Sequence, residues 1–285
     1  MRLIKVAVNF DDPLTYHLYY GDTAGSPGTL LTFFPWPHAR RGTPGAGEVA
    51  ETALAVPPGA LRFWEPRLRA AKIAVESPET RWGQRTLPFA DPDGMALRLV
   101  EDEAAPEALA FRKGPIPPDA AIRGIHGVTL RVFDSGDTTA FLTETLGCAP
   151  AGDEGGRARY LMFDGPSALV EVNAAPHLGP PVLGAGSVHH VAWRTPDASQ
   201  QGAWRLAILA AGRPVTPVRE RFYFKSIYFH EPGNVLFEIA TDGPGFATDE
   251  PVEALGSALR LPPWLEPQRA QIEPALPPLK LPAAR

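Results

Sequence analysis

Hydrophobic and polar positions alternate with the two-residue period of a half-buried strand from Leu3 to Phe10, and aromatic and β-branched residues crowd Thr15 to Tyr20 and Thr29 to Phe34. Asp11-Asp12-Pro13 and Gly25-Ser26-Pro27-Gly28 supply the intervening turns, so the chain is predicted to open with three strands. Pro35 to Gly47 is polar, Pro/Gly-rich loop. After the breaker Pro57-Pro58-Gly59 the spacing predicts a helix over Ala60 to Ala71, shortened or kinked by Pro66. Strands follow at Thr86 to Ala90 and Met95 to Val100, around the hairpin signal Asp91-Pro92-Asp93-Gly94. A similar series starts with a strand at Ile125 to Phe133 and a helix from Asp137, its N-cap, to Leu146, stopped by Gly147. Strands at Tyr160 to Phe163 and Ala168 to Val172 close that series. The last series reads strand (Val188 to Arg194), helix (Ser199 to Ala211, ending at Gly212) and strands Ser226 to Phe229 and Val235 to Ala240 around Glu231-Pro232-Gly233-Asn234. Beyond Asp242 the chain turns Pro-rich with two short amphipathic stretches, which predict packing or a lid rather than chemistry.

These series are copies of one unit. At an offset of 140 residues Arg81-Trp82 falls on Arg221-Phe222 and Phe89-Ala90-Asp91-Pro92 on Phe229-His230-Glu231-Pro232, without a gap from Val49/His189 to Arg98/Glu238. Each copy reads as a βαβββ-like module, and Ala121 to Asn173 looks like a third. The segment before Pro35 holds only the closing strands of such a module; its opening strand and helix are absent. The expectation is an α+β chain of βαβββ modules in two domains. Residues 1–105 form an N-terminal domain (partial plus degenerate module), 106–120 a linker, 121–245 a C-terminal metal-binding domain and 246–285 a Pro-rich tail.

Composition narrows the chemistry. The chain has 285 residues, 44% hydrophobic and 21% charged, enough for a large core, and its 27 Gly and 33 Pro fit many short elements joined by turns. A formal charge of −5 offers no basic field for nucleic acid or anionic lipid. No apolar run reaches the roughly 18 residues of a membrane span, and Met1 to Lys5 leads into a strand rather than a signal sequence. A soluble, cytoplasmic protein is expected. The single cysteine, Cys148, excludes an intrachain disulfide and a Cys-based zinc cage.

The repeat also separates scaffold from chemistry, because a structural residue should recur where a ligand need not. His189-His190 faces Val49-Ala50, and Glu238 faces Arg98, whereas Arg221 is matched by Arg81. A divalent metal needs imidazole and carboxylate donors, so the later module reads as metal-binding and the earlier as degenerate. The competing reading is a packed His190 and a solvent-facing Glu238. Against it, Glu238 alternates with Leu236 and Ala240, and a carboxylate on that face needs a partner or a metal. On the residues alone both readings stand.

Modules with His on an opening strand and Glu on a closing strand resemble the vicinal oxygen chelate superfamily, which includes glyoxalase I, bleomycin-resistance proteins and extradiol dioxygenases. NFDDPLTYHLYYGD (Asn9 to Asp22), LTFFPWP (Leu31 to Pro37), SVHHVAWR (Ser187 to Arg194), YFKSIYFHEPGNVLFEIATDGPGF (Tyr223 to Phe246) and LPPWLEPQR (Leu261 to Arg269) resemble its ring-cleaving dioxygenases acting on hydroquinones. The resemblance implies Fe(II), with Mn2+ as the alternative, held by two His and one carboxylate, leaving positions for an aromatic diol and O2. His190 and Glu238 carry over as ligands, and His189, Tyr228 and Arg221 as residues beside the metal. Tyr228 would hydrogen-bond or relay protons, Arg221 stabilise developing anion and His189 act as acid–base or positioning group. Strict alternation puts His189 and His190 on opposite faces, and Arg81 at the equivalent of Arg221 leaves a structural role for that arginine open.

In the resembled enzymes the third ligand is a His on the first strand of the first module. Here that strand is missing, which reads as an N-terminal truncation. His126, opening the third module, is the alternative ligand and His17 a weaker stand-in; His38, His177 and His230 fall in loops or turns. Two other functions remain on the same fold: a metal-dependent glyoxalase- or lyase-like enzyme that needs no O2, and an inactive or metal-free small-molecule binder. Self-association is left open.

Overall fold

The computed structural model describes residues 1–106, 114–162 and 168–279. Among these, strands assemble into three sheets. β1 (Arg2–Asn9), β2 (Asp12–Gly21) and β3 (Leu31–Phe33) form an antiparallel sheet in that order. A nine-stranded sheet follows. It takes β4 (Glu48–Val56), β5 (Ala74–Val75), β6 (Glu79–Arg81), β7 (Gln84–Ala90) and β8 (Ala96–Glu101), with helix α1 (Leu61–Ala70) between β4 and β5. It also takes β9 (Gly124–Val132), β10 (Ala149–Glu154), β11 (Arg157–Leu161) and β12 (Leu169–Ala174). The order is β10-β11-β12-β9-β4-β8-β7-β5, with β6 against β7. The last sheet runs β13-β16-β15-β14, from β13 (Val191–Thr195), β14 (Arg219–Glu220), β15 (Lys225–His230) and β16 (Leu236–Thr241), with α3 (Ala198–Ala210) after β13.

The 140-residue offset is visible in the backbone. Lys72, Trp82 and Gly94 adopt positive φ, and so do Gly212, Phe222 and Asn234. Trp82 and Phe222 are bulky residues in a conformation that L side chains rarely adopt, so the turn before β7 and β15 is the same strained turn. In both units the opening strand pairs in parallel with the closing one, β4 with β8 and β13 with β16. They differ on the outer edge. β4 pairs there with β9, antiparallel, whereas β13 has no partner strand on that edge among the described residues. The β4–β9 ladder carries one sheet across 106–120, joining strands from both sides of the expected linker.

Several local expectations shift. The first helix of the third unit, α2 (Ser135–Ala140), begins two residues before Asp137. Its N-cap is Asp134, which has the extended backbone a cap requires and accepts a bond from the Gly136 N–H. The helix continues as a wider π turn over Phe141–Thr145. α3 is capped by Asp197 through the Gln200 N–H. Strands β5, β6, β10 and β14 are too short or too polar to show as periodicity; the six residues of β10 are all exposed. Phe163, expected to end a strand, lies outside the described residues.

The largest core lies between the nine-stranded and four-stranded sheets, where Leu130, Leu142, Val172, Ile208, Phe237 and Ile239 close around Trp193. A second forms under α1, from Leu54, Val56, Leu61, Leu87 and Leu99. The tail is packing: Leu261, Leu265, Ile272 and Leu276, the last two in and just beyond α4 (Arg269–Ala275), bury Val8 of β1. Lys5, fully buried on the same strand, is paired with Asp249 at 2.6 Å and with Glu250. Tyr19, Tyr223, Phe246 and Leu255 join β2 to the β14–β15 connection and the start of the tail. The three-stranded sheet is thereby held against one end of the four-stranded sheet, and the candidate chemistry lies between them.

Candidate metal centre

Glu238 is in the middle of β16, 4% exposed, where alternation turns its carboxylate away from solvent. Its neighbours follow from register. Tyr228 of β15 stands directly opposite, and Ser226 is two residues along on the same face. Both hydroxyls donate to Glu238 Oε1, Tyr228 at 2.9 Å. That leaves Oε2 facing His190 Nε2 at 2.8 Å. His190 immediately precedes β13, whose Ala192 is paired with Glu238. Burial pushes the Glu238 carboxyl up, but the hydrogen bond and charge of His190, with the Ser226 and Tyr228 donors, outweigh it and hold its pKa below the usual carboxylate value. The carboxylate is therefore ionised and ordered, with one oxygen saturated and one directed at an imidazole nitrogen.

His189 also joins the group. Its Nδ1 is 2.8 Å from His190 Nδ1, so one of the two rings donates and the other accepts. The expected separation onto opposite faces does not hold, because both residues precede the first residue of β13 and no ladder fixes their alternation. Desolvation and the neighbouring His190 lower the His189 pKa. Arg221, in the turn before β15, donates from Nε to Tyr228 Oη at 3.2 Å and from a terminal nitrogen to Asp11 at 2.7 Å. Burial and the Glu238 charge raise the Tyr228 pKa, so the phenol keeps its proton and acts as a donor. One connected line thus runs Asp11–Arg221–Tyr228–Glu238–His190–His189.

Across the interface, β2 supplies His17 and Tyr19. His17 Nδ1 is 2.7 Å from Tyr19 Oη, and the imidazole stacks against Phe34, which meets His189 edge-on at 6.3 Å. His17 Nε2 is shielded from solvent and has no partner. Burial, with the charges of His190, Arg221 and His189, pushes the His17 pKa well down. Sequence reasoning ranked His17 low. It missed Ser226 and Asp11, whose only signal was membership of the motifs around them.

His126 lies elsewhere. As part of β9 it joins the nine-stranded sheet, because the third unit's opening strand pairs with that of the second. It is 3.9 Å from Asp102, and burial pushes its pKa down to about 4. Around it Glu51 holds both Arg81 and Arg98, Glu171 holds Arg81 and Arg159, and Glu79 also holds Arg98. The repeat positions of Arg221 and Glu238 are thus occupied by two guanidiniums in an ion-pair network. Arg98 puts a cation at the place where the other copy carries the Glu238 anion.

Among the described residues no group of three or more His, Cys, Asp or Glu is placed to hold a metal ion. His190 Nε2 and Glu238 Oε2, which bond to each other at 2.8 Å, are the imidazole and carboxylate donor types that iron takes, and an ion held there would replace that contact.

A profile of the Glyoxalase/Bleomycin resistance protein/Dioxygenase superfamily matches residues 124–239, and the chain belongs to that superfamily. Maize glyoxalase I, 16% identical, superposes with a TM-score of 0.61 over 85% of this chain and 83% of its own, a likeness of fold. Within the superfamily the chain is a ring-cleaving dioxygenase. It is 44% identical over 281 residues to the Bacillus subtilis protein described as "Putative ring-cleaving dioxygenase MhqO", covering 99% of this chain and 89% of that one. It is 32% identical over 272 residues to the chlorohydroquinone/hydroquinone 1,2-dioxygenase of Sphingobium indicum, covering 93% and 84%. The crystal structure of a dioxygenase-like Bacillus subtilis protein, 44% identical, superposes with a TM-score of 0.93 over 98% of this chain and 89% of that chain. No helix among the described residues is long and apolar enough to cross a membrane.

Proposed function

We propose that this chain is an Fe(II)-dependent dioxygenase that opens the ring of hydroquinone or a related aromatic diol, with His190 and Glu238 as iron ligands. The observation that carries the reading is the Glu238 carboxylate: Oε1 is saturated by Ser226 and Tyr228 while Oε2 faces His190. Such division of a carboxylate, one oxygen fixed by hydrogen bonds and the other left for a cation, is how ligand orientation is set around a metal. Iron supplies the positions at which a diol and O2 are brought together.

The protein groups then handle protons and charge. Tyr228 keeps its proton and is fixed between Arg221 and Glu238, so its hydroxyl orients the carboxylate by donating to it, and its oxygen can accept from a diol hydroxyl. Arg221 places a permanent cation beside that hydroxyl, where anionic charge on the ring oxygens is stabilised. His189, neutral near pH 7 and in contact with His190, is positioned as an acid–base or positioning group for a diol hydroxyl. The third ligand is read as a histidine on a strand paired to the open edge of β13, the arrangement that β9 supplies to β4 in the nine-stranded sheet.

Two measurements test the function. Iron-loaded protein given hydroquinone should consume one O2 per ring opened, and chelation should abolish uptake until Fe(II) is restored. Product formation without O2 uptake would sink the reading in favour of glyoxalase- or lyase-like chemistry. Tyr228→Phe should lower kcat about 100-fold per iron, measured with both proteins saturated with Fe(II); a variant as fast as the parent would remove Tyr228 from proton handling.

A further inference from the structure

Beside Arg221 a cleft of about 320 Å3 opens to solvent, lined by Phe10, Asp11, Arg219, Glu220, Arg221 and Trp264. Trp264 comes from the tail and meets Phe10 edge-on at 5.6 Å and Phe222 at 6.2 Å, leaving it 44% exposed. The cleft thus has an aromatic wall and a charged wall. Its inner end is Arg221, which reaches Tyr228 and through it Glu238.

The charged wall carries two guanidiniums, Arg219 and Arg221, and two carboxylates, Asp11 and Glu220, and Asp11 is the one set against both guanidiniums. Asp11, in the β1–β2 turn, places Oδ2 at 2.7 Å from Arg221 and Oδ1 at 3.8 Å from Arg219. A ring carboxylate entering the cleft would need these same two guanidiniums, and would meet the Asp11 carboxylate already on them. A neutral phenol loses nothing, since it needs only the aromatic wall and hydroxyl contacts.

We propose that Asp11 is a specificity-determining residue that makes this cleft select uncharged aromatic diols over ring carboxylates. The inference rests on the ring-cleavage reading for the kind of ring, and on the Asp11–Arg219–Arg221 geometry for the charge rule. Two opposed carboxylates within a few ångströms of each other repel strongly at this partly exposed depth, and the repulsion is screened by salt.

The test is binding rather than turnover. Hydroquinone and 2,5-dihydroxybenzoate are titrated calorimetrically into the full chain and its Asp11→Asn variant. Asp11 is exposed at a turn whose backbone bond, Asp11 N–H to Asn9 Oδ1, does not use its own side chain, so the variant keeps its fold. Asp11→Asn is expected to tighten dihydroxybenzoate about tenfold, more at low salt, and to leave hydroquinone within about threefold. Asp11→Ala should give the same sign, and adding Arg219→Gln to Asp11→Asn should reverse part of the gain. Dihydroxybenzoate bound no tighter by either variant than by the parent, or a gain shared equally by hydroquinone, overturns the proposal. Absence of O2 uptake with hydroquinone would instead sink the ring-cleavage reading and leave these binding constants to decide the charge rule.

Discussion

Glu238→Ala is expected to strip the chain of iron: metal content after reconstitution should fall from near one per chain to background, and hydroquinone-dependent O2 uptake should vanish with it. The size of the effect follows from the position. Among the described residues Glu238 is the one carboxylate in contact with His190, and its other oxygen is committed to Ser226 and Tyr228. Loss of an outer partner of a metal ligand costs about 10–100-fold in affinity, and loss of the ligand itself should exceed that. The alanine also removes the acceptor of two buried hydroxyls, which invites a general loss of order. Glu238→Gln separates the causes, because its side-chain oxygen still accepts from Ser226 and Tyr228 while the negative charge is gone. Both variants should lose iron, and the Gln variant should melt close to the parent. A Glu238→Ala protein that still holds stoichiometric iron would remove this residue from the ligand set.

The reason Glu238 and His190 were legible in the sequence is the internal repeat. Comparing two copies of one unit exposes the positions where scaffold chemistry has been exchanged, and Glu238 over Arg98 is an exchange of charge sign. Strand periodicity supplied the rest of the local picture, including Tyr228, which register sets opposite Glu238. What periodicity cannot report is which sheet a strand joins. The pairing of β4 with β9 is a contact between strands some 70 residues apart, set by which apolar faces close over α1, α2 and α3, and it is what carries His126 away from His190. Asp11 and His17 were obscured for the same reason. Each is separated in sequence from Arg221 and His189 by most of the chain, and they meet only because the tail and the Tyr19–Tyr223–Phe246 cluster hold the first sheet in place. The cap at Asp134 was missed on a finer scale: Asp134 and Asp137 are both good caps by residue type, and the extended backbone at Asp134 decided between them.

Arg98→Ala is expected to be the most destabilising single change outside the metal centre while leaving iron content untouched. Arg98 is 8% exposed, grips Glu51 with two bonds at 2.9 and 3.0 Å, and reaches Glu79 at 2.6 Å and Thr86 at 2.8 Å. Removing one side of a buried pair costs about 3–5 kcal/mol, mostly from the charge left behind, and here Glu51 would keep only Arg81. At roughly 2–4 °C per kcal/mol for a chain of this order of size, the melting temperature should fall by about 10 °C. The companion variant Arg98→Met with Glu51→Leu removes both charges and restores apolar packing, and Arg81 retains Glu171, so most of the lost stability should return. Neither variant touches His190, Glu238 or their hydrogen-bonding partners, and iron per chain should equal that of the parent in both. An Arg98→Ala protein that melts within about 2 °C of the parent would show that the network contributes little. One that folds but has lost its iron would show that the guanidinium cluster and the metal pair are coupled, against the division of labour between the two copies. If instead stability falls and iron stays, the two members of the repeat have taken opposite solutions to one geometric problem. In one unit buried guanidiniums fill the space between strands and hold the sheet together; in the other a carboxylate is kept ordered and available for a cation.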